Sequence, residues 1–316
     1  MKHKFKIVVT LSAFVTITLH ILNKILGSFY SIKSTLINSS NHYYEWRFGK
    51  IHYIRKGTGS PLLLIHDLTV GSSQYEFHNL INSLAKTNEV FAIDLLGYGL
   101  SDKPNMTYTN YLYVQQIIDF IKNVIGHRVD IIATGDATPI AVMACHNDPE
   151  VIRKMIFINP QSLYQANQIP SKQTKLLKLM IELPVFGTFI YYLLTTRTNI
   201  LNAFKNEYIY HVSHIKAEDV DSYLESAHRT DYHAKYSFSS YVANYMNTNY
   251  IHALKEINNS IYIIAGKEQS DITTIIENYL YYNTSIEVVY ISNTKHLPHL
   301  EDSEAVLTQL QYFLHD

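Results

Sequence analysis

The sequence has little of what disulfide-stapled, metal-binding or nucleic-acid-binding proteins depend on. Its 316 residues include one cysteine, Cys145, so an internal disulfide is excluded, and we expect a small buried apolar side chain there. Lysine and arginine (26) nearly balance aspartate and glutamate (27), and a net charge of −1 gives no support for a nucleic-acid partner. The 16 histidines show no metal-ligand spacing, so we predict no metal and no cofactor.

The N-terminus is basic and then apolar. Lys2, Lys4 and Lys6 precede the run Ile7–Leu22, which is the pattern of a signal peptide or an uncleaved signal-anchor. No A-x-A cleavage site follows, which favours an anchor over residues 1–26 and a linker over 27–43. The alternative is an amphipathic surface helix. The lysines favour a cytoplasmic N-terminus, with the main domain outside the cell membrane.

From residue 44 onward, short apolar strands alternate with helical patterns. This alternation predicts an α/β protein with a mostly parallel sheet covered on both faces. This alternation of strands and helices is interrupted between residues 161 and 250, where helical patterns occur without a clear strand. We therefore predict a helical cap at 161–250 and a core of residues 44–160 and 251–316. The predicted strands are Tyr44–Phe48, Lys50–Arg55, Leu62–Ile65, Val90–Ile93, Val129–Ala133, Met155–Ile158, Ser260–Ala265 and Ser285–Ile291.

Four segments carry a family pattern. They are the apolar strand ending in His66-Asp67, the D-x-x-G-x-G-x-S-x-x-P loop Asp94–Pro104, the passage Asn147–Pro160, and the histidine loop Lys295–Glu301. In these segments the chain resembles the α/β-hydrolase superfamily, in its capped branch, over residues 44–316. The resemblance implies the α/β-hydrolase fold and makes His296 the general base.

The nucleophile elbow of that family, G-x-S-x-G, corresponds to Gly135-Asp136-Ala137-Thr138-Pro139 and has no serine. One register puts Ala137 at the tip, where small neighbours such as Gly135 fit. The other puts Asp136 there, and aspartate tolerates the positive φ of the tip better than alanine does. Aspartate is the nucleophile of haloalkane dehalogenases and epoxide hydrolases in this superfamily. Both registers remain open at this point.

Two further parts of the family's site depart from its pattern. Gln269 stands where the acid is usual, and we expect Asp271 or, less favoured, Glu268 to hold the histidine. The oxyanion loop, His66-Asp67-Leu68, carries a carboxylate where a glycine is usual. A charge at Asp67 opposes acyl transfer unless the side chain turns away or is protonated.

Two functions follow as hypotheses. The first is a membrane-anchored hydrolase of a small or lipid-like ester, epoxide or related substrate, with Asp136 as nucleophile and His296 as base. The second is a catalytically inactive homologue that binds a ligand or partner beneath the cap. The sequence makes no prediction of the oligomeric state. Cap tyrosines suited to epoxide opening are available at Tyr191, Tyr192, Tyr208 and Tyr210.

Overall fold

A computed structural model describes residues 2–30, 35–36, 41–230 and 232–315, and a sheet of eight strands lies at the centre of these residues. The strand order is β1-β2-β4-β3-β5-β6-β7-β8. β2 runs antiparallel to its neighbours β1 and β4, and the other pairs are parallel. The mostly parallel sheet predicted from the sequence is therefore confirmed. The strands are β1 (Asn41–Trp46), β2 (Gly49–Lys56), β3 (Ser60–Ile65), β4 (Asn88–Ile93), β5 (Val129–Thr134), β6 (Ile152–Ile158), β7 (Ser260–Gly266) and β8 (Glu287–Ile291).

Helices cover both faces of this sheet. Side chains alternate along each strand, so in β3 Leu63 and Ile65 pack in one apolar layer while Leu62 and Leu64 pack in the other. The first layer lies under α3 (Asn110–Phe120), α4 (Thr138–Asn147), α11 (Ile251–Glu256) and α12 (Ile272–Tyr282). The second lies under α2 (His78–Leu84) and α14 (Ser303–His315), with the short α13 (Pro298–Glu301) beside them.

The predicted helical cap is confirmed. Residues 161–230 and 232–250 add no strand to the sheet. Their helices are α5 (Leu163–Ala166), α6 (Lys172–Glu182), α7 (Phe186–Leu194), α8 (Arg197–Ala203), α9 (Ala217–His228) and α10 (Lys235–Val242). A π-helical turn, Phe204–Tyr208, continues α8.

The N-terminal helix α1 (Lys2–Tyr30) is longer than the segment predicted over residues 1–26. It packs against α7 and α9 of the cap. The sheet begins at Asn41, slightly before the predicted Tyr44. Much of the predicted linker over 27–43 lies outside the described residues.

The loop after β4 is organised around a buried carboxylate, Asp94. It accepts hydrogen bonds from the Gln74 N–H (2.7 Å) and the Leu100 N–H (2.9 Å), and its Oδ2 lies 2.7 Å from Nδ1 of His52. Burial opposes the charge of Asp94, but His52 and these donors outweigh burial and lower its pKa to about 2. Gly99 has φ +47°, and a Cβ there would lie 2.2 Å from the Asp94 carboxyl carbon. The Asp94–Pro104 motif therefore stabilises the structure of the loop after β4.

We predict that Asp94→Asn lowers the free energy of unfolding by about 3 kcal/mol at neutral pH, because one partner of a buried pair is lost. The folded-state pKa lies below the ordinary value, so the stabilisation is present at neutral pH and disappears as the pH falls from about 4 towards 2. Urea unfolding across this range measures the effect. Asp271→Asn, at an exposed aspartate, is the control, and equal losses for both variants would contradict the prediction.

Candidate active site

The elbow lies between β5 and α4, and its tip is a glycine. Gly135 follows the last residue of β5 and has φ +51°, while Ala137 has φ −80°. The positive φ that was expected at Asp136 or Ala137 is therefore found at Gly135. Glycine adopts that conformation without steric cost, which is the physical reason the turn closes one residue earlier than either register assumed.

The space above Gly135 is occupied by the carboxylate of Asp67. A Cβ on Gly135 would lie 2.6 Å from the carboxyl carbon and from both carboxyl oxygens of that residue. Oδ1 of Asp67 accepts hydrogen bonds from the N–H groups of Leu68 (2.7 Å) and Asp136 (2.8 Å). In this fold the oxyanion hole is formed by the N–H after the nucleophile and one from the loop after β3. These are the two donors here, so Asp67 fills the oxyanion hole.

The other oxygen of Asp67 contacts the predicted base. Nε2 of His296 lies 2.7 Å from Oδ2 of Asp67, with the histidine side chain 20 % exposed and the carboxylate 1 % exposed. Burial opposes the charge of both groups. Their hydrogen bond and mutual attraction outweigh burial, so the pKa of Asp67 is lowered and the pKa of His296 is raised. The two side chains form an ion pair at the place of a nucleophile and its base.

Two further carboxyl groups adjoin this pair. Burial, reinforced by the charge of Asp67, raises the pKa of both Glu76 and Asp136 to about 7. Oε2 of Glu76 accepts a weak hydrogen bond from the Asp67 N–H (3.2 Å), and Oδ2 of Asp136 accepts one from the Tyr241 hydroxyl (2.7 Å). The site therefore holds one carboxylate that stays ionised and two that take up a proton near neutral pH.

The cap supplies aromatic side chains to the site. The ring of Tyr208 lies 5.6 Å from the ring of His296, between centroids. The Tyr223 hydroxyl donates to Oε1 of Glu76 at 2.8 Å. Of the cap tyrosines considered from the sequence, Tyr208 thus reaches the histidine, whereas Tyr191 donates within the cap to the Ala227 carbonyl. Glu76, Tyr223 and Tyr241 were not anticipated, and among 26 tyrosines the sequence has no signal that selects these two.

The predicted triad acids lie elsewhere. Glu268 and Asp271 are exposed in the turn before α12, and Asp271 has φ +56° at the start of that helix. Within the described residues, neither carboxylate forms a hydrogen bond or ion pair with His296. The backbone of the histidine loop is held instead by Asn159, whose amide donates to the carbonyls of Lys295 (2.6 Å) and His296 (2.8 Å).

The side chain of His66 holds the backbone of the oxyanion loop in place through hydrogen bonds. Its Nε2 accepts the Leu95 N–H at 3.0 Å, so the proton is on Nδ1, which donates to the carbonyl oxygen of Asp67. Burial lowers the pKa of His66, which keeps the ring neutral. His66 therefore links the loops after β3 and β4 and fixes the backbone from which the Asp67 side chain projects.

A cluster of possible metal ligands, which the sequence spacing did not suggest, lies on the surface between α4 and α11. The nitrogens of His146 and His252 lie 2.9 Å and 3.0 Å from the same oxygen of Glu256. Hydrogen bonds to that shared carboxylate are sufficient to hold the cluster together.

The elbow, the oxyanion site and the histidine before the last helix together define an α/β-hydrolase fold. The family model of the alpha/beta hydrolases matches residues 62–309, so the chain belongs to that family, and the predicted fold is confirmed. The chain is 31 % identical over 115 residues to 2-hydroxy-6-oxo-6-(2'-aminophenyl)hexa-2,4-dienoic acid hydrolase from Metapseudomonas resinovorans, covering 35 % of this chain and 39 % of that one. It is 24 % identical over 110 residues to the soluble epoxide hydrolase of Corynebacterium sp. (strain C12), covering 35 % and 38 %.

The chain thus spans about two fifths of the length of these curated relatives. Solved structures extend the likeness in fold to nearly the whole chain. An epoxide hydrolase, CorEH, superposes with a TM-score of 0.70 at 18 % identity, over 87 % of this chain and 98 % of its own. A membrane phospholipase A, described as a bacterial virulence factor, superposes with a TM-score of 0.69 at 18 % identity, over 100 % of this chain and 98 % of its own.

We predict that a serine at the tip becomes a nucleophile only when Asp67 is removed. Gly135→Ser together with Asp67→Gly is expected to react with a fluorophosphonate probe, because the oxyanion hole is then empty and His296 lies beside the new hydroxyl. Gly135→Ser alone is expected to remain unlabelled, since its side chain meets the Asp67 carboxylate. Gel fluorescence measures labelling.

The matched control is Ala137→Ser in the Asp67→Gly background. Ala137 is buried in the turn behind the tip, so no labelling is expected. Circular dichroism shows whether each variant folds. Labelling of the folded Ala137→Ser variant without labelling of the Gly135→Ser variant would contradict the assignment of the tip.

Proposed function

We propose that the chain is a membrane-anchored hydrolase that uses Asp67 as a carboxylate nucleophile and opens an epoxide or a related alkyl electrophile. The observation that carries the proposal is the position of Asp67, with one oxygen in the oxyanion hole and the other on His296. The nucleophile expected from the sequence, Asp136, lies beside it, and we assign Asp136 the role of acid.

The arrangement favours attack on a saturated carbon over acyl transfer. An ester substrate needs the oxyanion hole for its own carbonyl oxygen, and Oδ1 of Asp67 already fills it. A carboxylate that attacks an alkyl carbon uses the hole later, when its own carbonyl becomes a tetrahedral oxyanion. The similarity to a soluble epoxide hydrolase over 110 residues agrees with this chemistry.

In the first step, Oδ2 of Asp67 attacks a ring carbon, the carbon–oxygen bond breaks, and the ring oxygen takes the proton of the Asp136 carboxyl. The product is a hydroxyalkyl ester of Asp67. Because the negative charge of Asp67 is now gone, the attraction that raised the pKa of His296 is gone too. The imidazolium passes its proton to Asp136 and becomes a free base.

In the second step, neutral His296 takes a proton from water, and the hydroxide attacks the carboxyl carbon of Asp67. The charge that develops on Oδ1 is held by the N–H groups of Leu68 and Asp136. The ester bond then breaks, the product oxygen takes the proton from His296, and the new carboxylic acid of Asp67 returns its own proton to His296. The starting ion pair and the protonated Asp136 are restored.

The anchor supports a lipid-like substrate at the cell membrane. Within the described residues, the segment His3–Tyr30 is a single helix long and apolar enough to cross a membrane. Its most apolar stretch of 18 residues has a mean hydropathy of 1.9 and is not buried by the rest of the protein. The likeness in fold to a membrane phospholipase A extends over this segment. The lysines at the start of the helix, Lys2, Lys4 and Lys6, favour a catalytic domain outside the cytoplasm.

A second candidate function is a catalytically inactive protein that binds a ligand or partner beneath the cap. The specific observation in its favour is again Asp67, whose buried carboxylate satisfies both oxyanion donors within the protein itself. The exposed positions of Glu268 and Asp271, away from His296, agree with this alternative.

We expect hydrolysis of an epoxide in ¹⁸O-water to place the label in the Asp67 carboxylate over repeated turnovers, because water attacks its carboxyl carbon. Asp67→Asn is expected to abolish turnover, and His296→Ala to accumulate the ester on Asp67, since the base that activates water is missing. Peptide mass spectrometry locates the label and the ester. Asp271→Asn, at an exposed carboxylate, is expected to behave like the unaltered protein.

Label in Asp136 instead would contradict the assignment of Asp67 as nucleophile. Absence of turnover by the folded protein across epoxides, alkyl halides and p-nitrophenyl esters would favour the binding function over the hydrolase.

The pH profile tests the acid. The pKa of Asp136 is raised to about 7, so this carboxyl is protonated below that pH and loses its proton above it. We therefore expect kcat/KM to fall as the pH rises through about 7. In Asp136→Asn, kcat/KM is expected to drop by about 10²-fold or more, and the alkaline decline centred near 7 is expected to vanish. An unchanged profile in this variant would exclude Asp136 as the acid.

A further inference from the structure

The cap helix α6 turns large apolar side chains towards the outside of the protein. Leu176 is 57 % exposed and Leu179 is 59 % exposed, although an amphipathic helix normally turns such side chains inward. Lys178, on the same helix, points inward instead. It is 9 % exposed and pairs with Glu182 at 2.6 Å. The exposed leucines of α6 therefore suit an apolar surrounding, such as a lipid or a partner protein.

This apolar exterior continues past the end of α6. The chain bends by 100° between α6 and α7, and the apolar residues around the bend and along α7 are also turned outward. The exposed members of this surface, which we call the cap ridge, are Leu176, Leu179, Leu183, Phe186, Leu193 and Leu194. Exposed leucines and phenylalanines concentrated on two consecutive helices are characteristic of a protein or membrane contact.

The bend of the cap ridge lies beside α1 at the point where that helix leaves the protein. The Asn23 side chain donates a hydrogen bond to the Val185 carbonyl in the bend at 2.9 Å, and Tyr30 stacks on His228 of the cap with centroids 4.2 Å apart. Before Asn23, the helix is almost entirely exposed. Within that free part, the apolar run Ile7–Leu22 is about 24 Å long, close to the roughly 30 Å hydrocarbon thickness of a bilayer.

These lengths fix the level of the membrane surface. If this apolar run fills the hydrocarbon, the bilayer surface passes near Asn23, and therefore near the bend of the cap ridge. Lys24, the residue after Asn23 on α1, is exposed, and a lysine at this depth extends its ammonium group to lipid phosphates. Lys172 and Lys175, at the start of α6, are exposed as well. A cavity of about 510 Å³ between α1 and the cap, lined by Asn23, Lys24, Val185 and other residues, lies at the same junction.

We propose that the cap ridge is embedded in the outer surface of the bilayer, beside the anchor, so that α6 and α7 form a second membrane contact. The inference rests on the proposed anchoring by α1. It deepens the proposed function, because a cap that lies in the lipid interface opens towards substrates dissolved in the membrane rather than in water.

The test uses the full chain reconstituted in vesicles of phosphatidylcholine and phosphatidylglycerol that contain nitroxide-labelled lipid. Single cysteines carry a bimane fluorophore at Leu179→Cys on the cap ridge, at Val15→Cys in the anchor and at Tyr312→Cys on α14. All three positions are exposed, so the variants are expected to fold, whereas the native Cys145 is buried and serves as the blank. The fluorophore at position 179 is expected to lose about half of its fluorescence, because an interfacial helix buries its apolar face by about 5–10 Å.

The three positions separate the outcomes. Quenching at 15 and 179 but not at 312 supports the proposal. Quenching at 15 alone overturns it and leaves the anchor in place, whereas quenching at neither position refutes the anchor and the cap contact together. Absence of quenching at 179, together with disulfide dimers of the unlabelled Leu179→Cys variant, would make the cap ridge an interface between two copies, which also overturns the proposal.

Discussion

The ion pair between Asp67 and His296 is the interaction around which the site is arranged. Its carboxylate is buried, and a buried charge is stable only when it is paired and hydrogen-bonded. Two backbone N–H groups and one imidazole meet that requirement. Those donors belong to the loops after β3 and β5 and to the loop before α13, so the pair holds three loops of the sheet edge together. A serine at the tip would have no room beside it, which makes Gly135 the consistent partner of Asp67.

The same charge sets the ionisation of its neighbours. Burial alone would raise the pKa of Glu76 and Asp136, and repulsion from Asp67 raises both further, to about 7. One charge thus separates an ionised carboxylate from protonated ones a few ångströms away, which is how a site obtains a nucleophile and an acid from the same functional group. In the proposed mechanism, alkylation of Asp67 removes that charge and with it the attraction that raises the pKa of His296, so one step prepares the base for the next.

The cap connects this chemistry to the N-terminal helix. Its inner side places Tyr208, Tyr223 and Tyr241 on the ionisable groups of the site. Its outer side carries the cap ridge and packs against α1. Helix α6 shows the difference between the two sides of the cap, since Lys178 is turned inward to Glu182 while leucines on the same helix face outward. The cap therefore carries both the proposed membrane contact and the tyrosines that adjoin the proposed catalytic site.

The sheet, the cap and the position of the histidine loop are predictable from the amino-acid sequence. These features follow from local patterns, namely apolar strand runs such as Leu62–Ile65, a loss of strand rhythm after residue 160, and motif segments of fixed spacing. The departures at Asp67 and Gln269 were also visible as letters. The effect of these departures on the site was not predictable. Without a serine, the sequence does not mark the tip of the elbow, and both registers placed the tip one or two residues after Gly135.

Which side chains of the site contact one another depends on the tertiary structure. Asp67 and His296 are 229 residues apart in the chain, and Tyr241 reaches Asp136 from the cap, so neither contact has a local signal. The pKa values near 7 depend on burial and on the distance between carboxylates, which periodicity does not encode. The choice of Gly135 as the tip depends on one backbone angle and on the side chain that fills the space above it. A pattern of letters predicts elements, whereas the site depends on distances between elements far apart in the chain.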